Sequence, residues 1–153
     1  MPLLAFNHVV PGRSTNHDFF APFEQRGDRV IRYFVEPPVL AVNYALKTLG
    51  YASGNVHIMG KSGGGWTATV VAAIDARLRL SFPIAGSIPL SFKHTSWDYE
   101  QQPQPGNPNW YLTHANYTML YALAAREHGR VSLQVLHEDD PCCFHGRGRD
   151  EGI

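Results

Sequence analysis

Apolar and polar positions alternate along the chain in blocks that predict strands and helices in turn. The first block, Met1 to Phe6, stops at Asn7-His8, and Pro11, Gly12, Ser14, Thr15 and Asn16 follow as loop, so a strand is expected over residues 2–6. From Val30 the chain is apolar again. Pro37-Pro38 precede Val39, Leu40, Val42, Ala45, Leu46 and Leu49, whose spacing predicts a helix over about 37–49 that Gly50 ends. Asn55 to Gly60, apolar at Val56, Ile58 and Met59, reads as a strand; Gly63-Gly64-Gly65 and then Trp66 to Ala76, of helical composition, follow it.

Leu78, Leu80, Phe82, Ile84 and Ala85 predict a further strand over about 79–85, closed by Gly86. Residues 87–115 are rich in proline and aromatics, with Pro89, Pro103, Pro105 and Pro108 beside Trp97, Tyr99, Trp110 and Tyr111, and read as a cap or rim. Tyr117, Leu120, Tyr121, Leu123 and Ala124 then lie on helical spacing up to Gly129, and Val131, Leu133 and Val135 alternate in a strand over 131–137. Four strands separated by helices, with no internal repeat, predict an α/β fold with a mostly parallel sheet and flanking helices.

Composition fixes the scale of that fold. With 153 residues, 44% hydrophobic and 17% charged, the chain fits a single domain over 1–153 that buries an apolar core without disulfides or metals. Thirteen Lys and Arg balance thirteen Asp and Glu with no long run of one sign, which argues against nucleic acid or a membrane surface as partner. The first residues lack the basic and apolar regions of an export signal, and no apolar run reaches the roughly 18 residues of a membrane span. The two cysteines, Cys142 and Cys143, are adjacent and cannot staple distant segments, so a cytoplasmic location is expected.

One segment carries chemistry. Gly60-Lys61-Ser62-Gly63-Gly64 matches G-x-S-x-G, the nucleophile elbow, and falls between a strand and a helix as that turn requires. A chance match in a chain of this length has a probability on the order of 5%. In such a turn the serine hydroxyl points out of the sheet, the glycines avoid collisions with neighbouring backbone, and the Gly63 N–H faces a developing oxyanion at the helix N-terminus. The alternative is a glycine-rich turn that merely lets a strand and helix pack closely. Gly60-Lys61-Ser62 also resembles the end of a phosphate-binding P-loop, but the glycine needed at position 55 is an asparagine, and Val56 to Met59 are strand.

Ile58-Met59-Gly60-Lys61-Ser62-Gly63-Gly64-Gly65-Trp66 resembles the elbow of the α/β-hydrolase superfamily, in particular its serine esterases and acyl hydrolases. Arg32 to Pro37, Ser81 to Ser87, Asp98 to Gln101 and Asp140 to Phe144 look similar to one branch of that superfamily. The resemblance implies a sheet in which serine, acid and histidine follow in that chain order. It places residues 2–6 two strands before the nucleophile and 131–137 just before the acid, a core of about four strands shortened at both ends. Asp140, or its neighbour Asp139, is then the acid.

The base is left open among several histidines. His145 follows Asp140 and keeps the order; His137 ends the last strand; His8 and His17 lie in the first loop; a second subunit is a further source. His137, Glu138, Asp139, Asp140, Cys142, Cys143 and His145 also form a dense set of potential metal ligands, but adjacent cysteines lack the spacing of a zinc site, and Cys142-Cys143 can equally pack in a turn or form a vicinal disulfide. Trp66, Trp97, Tyr99, Trp110 and Tyr111 suit either an acyl pocket or ordinary packing, Lys61 is expected to face solvent, and Asn116-Tyr117-Thr118 is a glycosylation sequon without an export signal.

Two functions follow from this reading. The first is a serine hydrolase of small carboxylic esters or related acyl compounds, with Ser62, Asp140 and His145 as the catalytic set, Gly63 in the oxyanion hole, and no metal or cofactor. The second is a shortened hydrolase core that persists as an oligomeric binding or structural protein. Open sheet edges predict a homo-oligomer, dimer or higher, in both cases.

Overall fold

In the computed structural model, residues 22–23, 26–89, 115–138, 140 and 144 are described. The elements run α1 (Arg32–Lys47), β1 (Val56–Lys61), α2 (Gly63–Ile74), β2 (Leu78–Ile84), α3 (Tyr117–Ala124) and β3 (Val131–Ser132). The strands form one sheet in the order β1-β2-β3, parallel at both pairings, so the α/β class with a parallel sheet and flanking helices holds. The strand expected over 2–6 and most of the cap expected over 87–115 lie outside the described residues.

Sheet register explains which side chains meet the helices. Ile58 pairs with Ser81 and Gly60 with Pro83, and an irregularity between Val56 and Ile58 lets Leu78 and Ser81 both be buried although they lie three positions apart. Val56, Ile58 and Leu78 pack with Val42 of α1 and Val71 of α2. His57, Met59 and Lys61 alternate with them and are exposed. β3 is shorter than the expected 131–137: ladder pairing covers Val131 and Ser132, and a single bridge joins Val135 to Ile84.

Helix α2 is the hub. Its Trp66 and Val70 join Val30 and Phe34 from around the start of α1 and Tyr117 and Leu120 from α3 in a second core cluster. Phe34 meets Trp66 edge to face at 5.5 Å between ring centroids. That anchorage explains the first departure from the sequence expectation. α1 begins at Arg32, not 37, and runs through Pro37 and Pro38 in its second turn. The prolines cannot donate to the carbonyls one turn back, but burial of Val30 and Phe34 and an Arg32–Glu36 ion pair at 2.8 Å hold the first turn in place.

Three polar devices close the helix ends. Arg130, its side chain only 7% exposed, donates to the carbonyls of Ala72 and Asp75 at the end of α2, Leu123 at the end of α3 and Leu78 in β2. It thus satisfies carbonyls that a helix C-terminus leaves without partners, with a cation where the helix dipole favours one. Asp75, just after α2, takes a two-pronged bond from Arg77 at 2.8 and 2.6 Å, and Arg77 reaches Asn43 of α1 at 2.6 Å. The Asn116 side chain caps α3, accepting from Met119 N–H at 2.9 Å, which gives the sequon asparagine a structural use. Among the described residues, no helix is long and apolar enough to cross a membrane.

Candidate functional site

Ser62 joins β1 to α2 with φ 55° and ψ −124°. A side chain at such a positive φ is crowded against its own backbone, at a cost of about 1–3 kcal/mol, so the surrounding contacts must impose the conformation. They do so through the main chain. Ser62 N–H donates to Ile84 O at 2.9 Å, and Ser62 O accepts from Trp66 N–H at 2.9 Å. The hydroxyl makes no capping bond to the helix, and the residue is exposed, as is Lys61.

The glycines around Ser62 are not equivalent. A Cβ on Gly60 would fall 2.1 Å from Gly64 O, and one on Gly65 would fall 2.7 Å from Ile84 O. Gly86, beyond the motif, is as tight: its Cβ would lie 2.2 Å from the carbonyl carbon of Gly65. Gly64, by contrast, has nothing within 4 Å of a Cβ, so the fifth position of G-x-S-x-G is not needed sterically here. The crowding expected of the motif therefore falls on Gly60, Gly65 and Gly86. Ala85, between Ile84 and Gly86, has φ 43° and donates its N–H to Val135 O at 2.7 Å.

As the first residue of α2, Gly63 has an N–H that the helix ladder does not use, and this donor directly follows Ser62 at the helix N-terminus. Asp140 is buried at 9% exposure, and its Oδ2 accepts from Phe144 N–H at 3.1 Å. Phe144 packs on Ala85, Ile88 and Leu136. Phe144, and with it the Asp140 carboxylate, is thereby held beside the ends of β2 and β3, against the segment whose Ile84 carbonyl holds Ser62. That edge is where open α/β sheets place their sites.

The histidines divide. His137 is described and exposed; His145, His8 and His17 lie outside the described residues, as do Asp139, Cys142 and Cys143. Among the described residues no three His, Cys, Asp or Glu side chains gather as a metal site, and Cys142, Cys143 and His145 of the dense C-terminal ligand set fall outside them.

Sequence reasoning missed the far wall of the serine turn. Ser87 and Ile88, read as the start of a cap, are core residues at 0% and 5% exposure. The Ser87 hydroxyl receives bonds from Tyr121 and Gln134 and touches Thr69, partners 18 to 47 residues away. The one available signal was local: three small residues, Ala85-Gly86-Ser87, directly after a strand.

These features define a parallel α/β unit with a strained serine between strand and helix and a buried carboxylate at the same sheet edge. No family model matches the chain, and neither the curated proteins nor the solved structures give a match to it.

Proposed function

We infer that the chain is a serine hydrolase acting on small carboxylic esters or related acyl compounds through an acyl-enzyme on Ser62. The observation that carries this reading is the backbone of Ser62, at φ 55° and ψ −124° between Gly60 and Gly65, neither of which has room for a side chain. A turn that only linked a strand to a helix has no need of a non-glycine residue in that conformation, whereas a nucleophile held clear of the sheet does. The resemblance of Ile58 to Trp66 to α/β-hydrolase elbows supports the same assignment.

Ser62 Oγ attacks the acyl carbon while a histidine takes its proton, and the Gly63 N–H stabilises the charge that develops on the carbonyl oxygen. Collapse of the tetrahedral intermediate expels the alcohol, protonated by the same histidine, and leaves the acyl group on Ser62. Water then attacks with the histidine again as base and releases the acid. Asp140 orients the histidine, and His145 fills that role in chain order.

Hydrolysis of p-nitrophenyl acetate tests the reading: turnover well above that of Ser62→Ala supports it, and equal rates for the two proteins contradict it. A second reading, an oligomeric binding protein with little catalysis, draws on the sheet face away from α2. There Met59 is 72% exposed and Val131 and Leu133 more than half exposed, whereas parallel sheets ordinarily bury both faces. A second copy of the chain is its proposed partner, and light scattering at the monomer mass contradicts it.

A further inference from the structure

The first turn of α2 has little of its own to hold it. Gly63, Gly64 and Gly65 are poor helix formers, and the Ser62 side chain provides no cap. Outside support comes from Ser87, whose hydroxyl is wholly buried. Tyr121 of α3 donates to Ser87 Oγ at 3.1 Å, and Gln134 Nε2, just past β3, donates to it at 2.9 Å. Ser87 Oγ lies 3.2 Å from Thr69 Oγ1 of α2, and Thr69 donates to Gly65 O at 3.1 Å.

Each hydroxyl carries one proton, which fixes the direction of every bond. Thr69 uses its proton on Gly65, so Ser87 is the donor to Thr69, and the lone pairs of Ser87 take the protons of Tyr121 and Gln134. Burial raises the Tyr121 phenol above its ordinary value, which keeps it a donor through neutral pH. The relay runs one way, from α3 and the β3 side into the Gly65 carbonyl, three residues after Ser62. On its path Gly86 is pressed against Gly65.

We propose that Ser87, Thr69, Tyr121 and Gln134 are positioning residues that clamp Gly86 onto Gly65 and so hold the backbone of Ser62 in its positive-φ conformation. The consequence for reactivity rests on the reading of Ser62 as nucleophile; the clamp itself does not.

The test compares Thr69→Val, which keeps shape and loses the hydroxyl, with Thr69→Ser, which keeps the hydroxyl, and adds Ser87→Ala. Two readouts are followed: hydrogen exchange of the Ser62 and Trp66 amides relative to those of α1, and the rate of fluorophosphonate labelling per folded molecule. Loss of the relay speeds exchange at Ser62 and Trp66 by about tenfold over α1 and slows labelling about tenfold in Thr69→Val and Ser87→Ala, the effect of about one lost hydrogen bond, while Thr69→Ser stays near wild type. Exchange that rises equally at α1, or a Thr69→Val protein whose Ser62 and Trp66 amides stay protected, overturns the clamp. If Ser87→Ala does not fold, the two Thr69 variants decide. If wild type takes no label at all, the hydrolase reading fails while the exchange comparison still decides the clamp.

Discussion

Gly86 and Gly65 meet backbone to backbone: a Cβ on Gly86 would lie 2.2 Å from the carbonyl carbon of Gly65 and 2.3 Å from Trp66 N. The chain leaving β2 is thus packed directly on the first turn of α2, and the strained Ser62 is pinned from that side through Ile84 O. No flexible side chain lies between the two that could give way.

Substitutions at the glycines should separate sharply. Gly86→Ala and Gly60→Ala force main-chain atoms apart and are expected to cost about 3 kcal/mol or more, or to prevent folding. Gly64→Ala has open space and gains helix propensity, so it is expected to stabilise by up to about 1 kcal/mol. Urea denaturation of the three variants checks the ordering, and equal losses at positions 64 and 86 contradict it.

Asp75 gives the fold a dependence on acid. Its hydrogen bonds from Arg77 hold the carboxyl below the ordinary value of 3.8, against the opposing effect of burial. A carboxyl whose folded value is depressed adds stability that is complete above the unfolded value and is lost as pH falls through the folded one. Asp75→Asn is therefore expected to lower stability by about 1–3 kcal/mol at pH 7. The gap from wild type should close as pH drops below the unfolded value, which chemical denaturation across the acid range measures.

Arg130 bonds carbonyls at the ends of two helices and in β2, so Arg130→Met keeps much of the side-chain volume and strands those acceptors. The expected loss is about 3 kcal/mol by chemical denaturation, since bonds to a charged donor exceed neutral ones. Removal of its exposed partner in Glu127→Ala is expected to cost about 0.5 kcal/mol or less, as for other pairs with one end in solvent.

Much of the fold was legible in the sequence, and its misses have physical causes. Alternation at Val56 and Ile58, glycines around Ser62 and the apolar run of α2 were enough to place strand, serine turn, helix and strand in order. The start of α1 was not legible, because Ile31 offers no capping side chain and Pro37-Pro38 mark a helix start when read locally. Only the burial of Val30 and Phe34 against Trp66 reveals it. The serine was readable from spacing, but the Ser87 hub was not, because its partners at 69, 121 and 134 come together only when α2, α3 and the β3 side are packed.

Ser81 is 2% exposed, and its hydroxyl has no hydrogen-bond partner among the described residues. A buried hydroxyl in that state opposes folding, so Ser81→Ala is expected to leave stability unchanged or raise it by up to about 1 kcal/mol. Thermal unfolding checks this, and a marked fall in melting temperature contradicts it.

Whether Ser62 is a nucleophile is tested most directly by intact-mass measurement after treatment with a fluorophosphonate. Wild type is predicted to gain one phosphonyl group, mapped to the peptide that holds Ser62, and Ser62→Ala is predicted to gain none. An unmodified wild type, or equal modification of both proteins, would contradict the assignment of Ser62 as nucleophile.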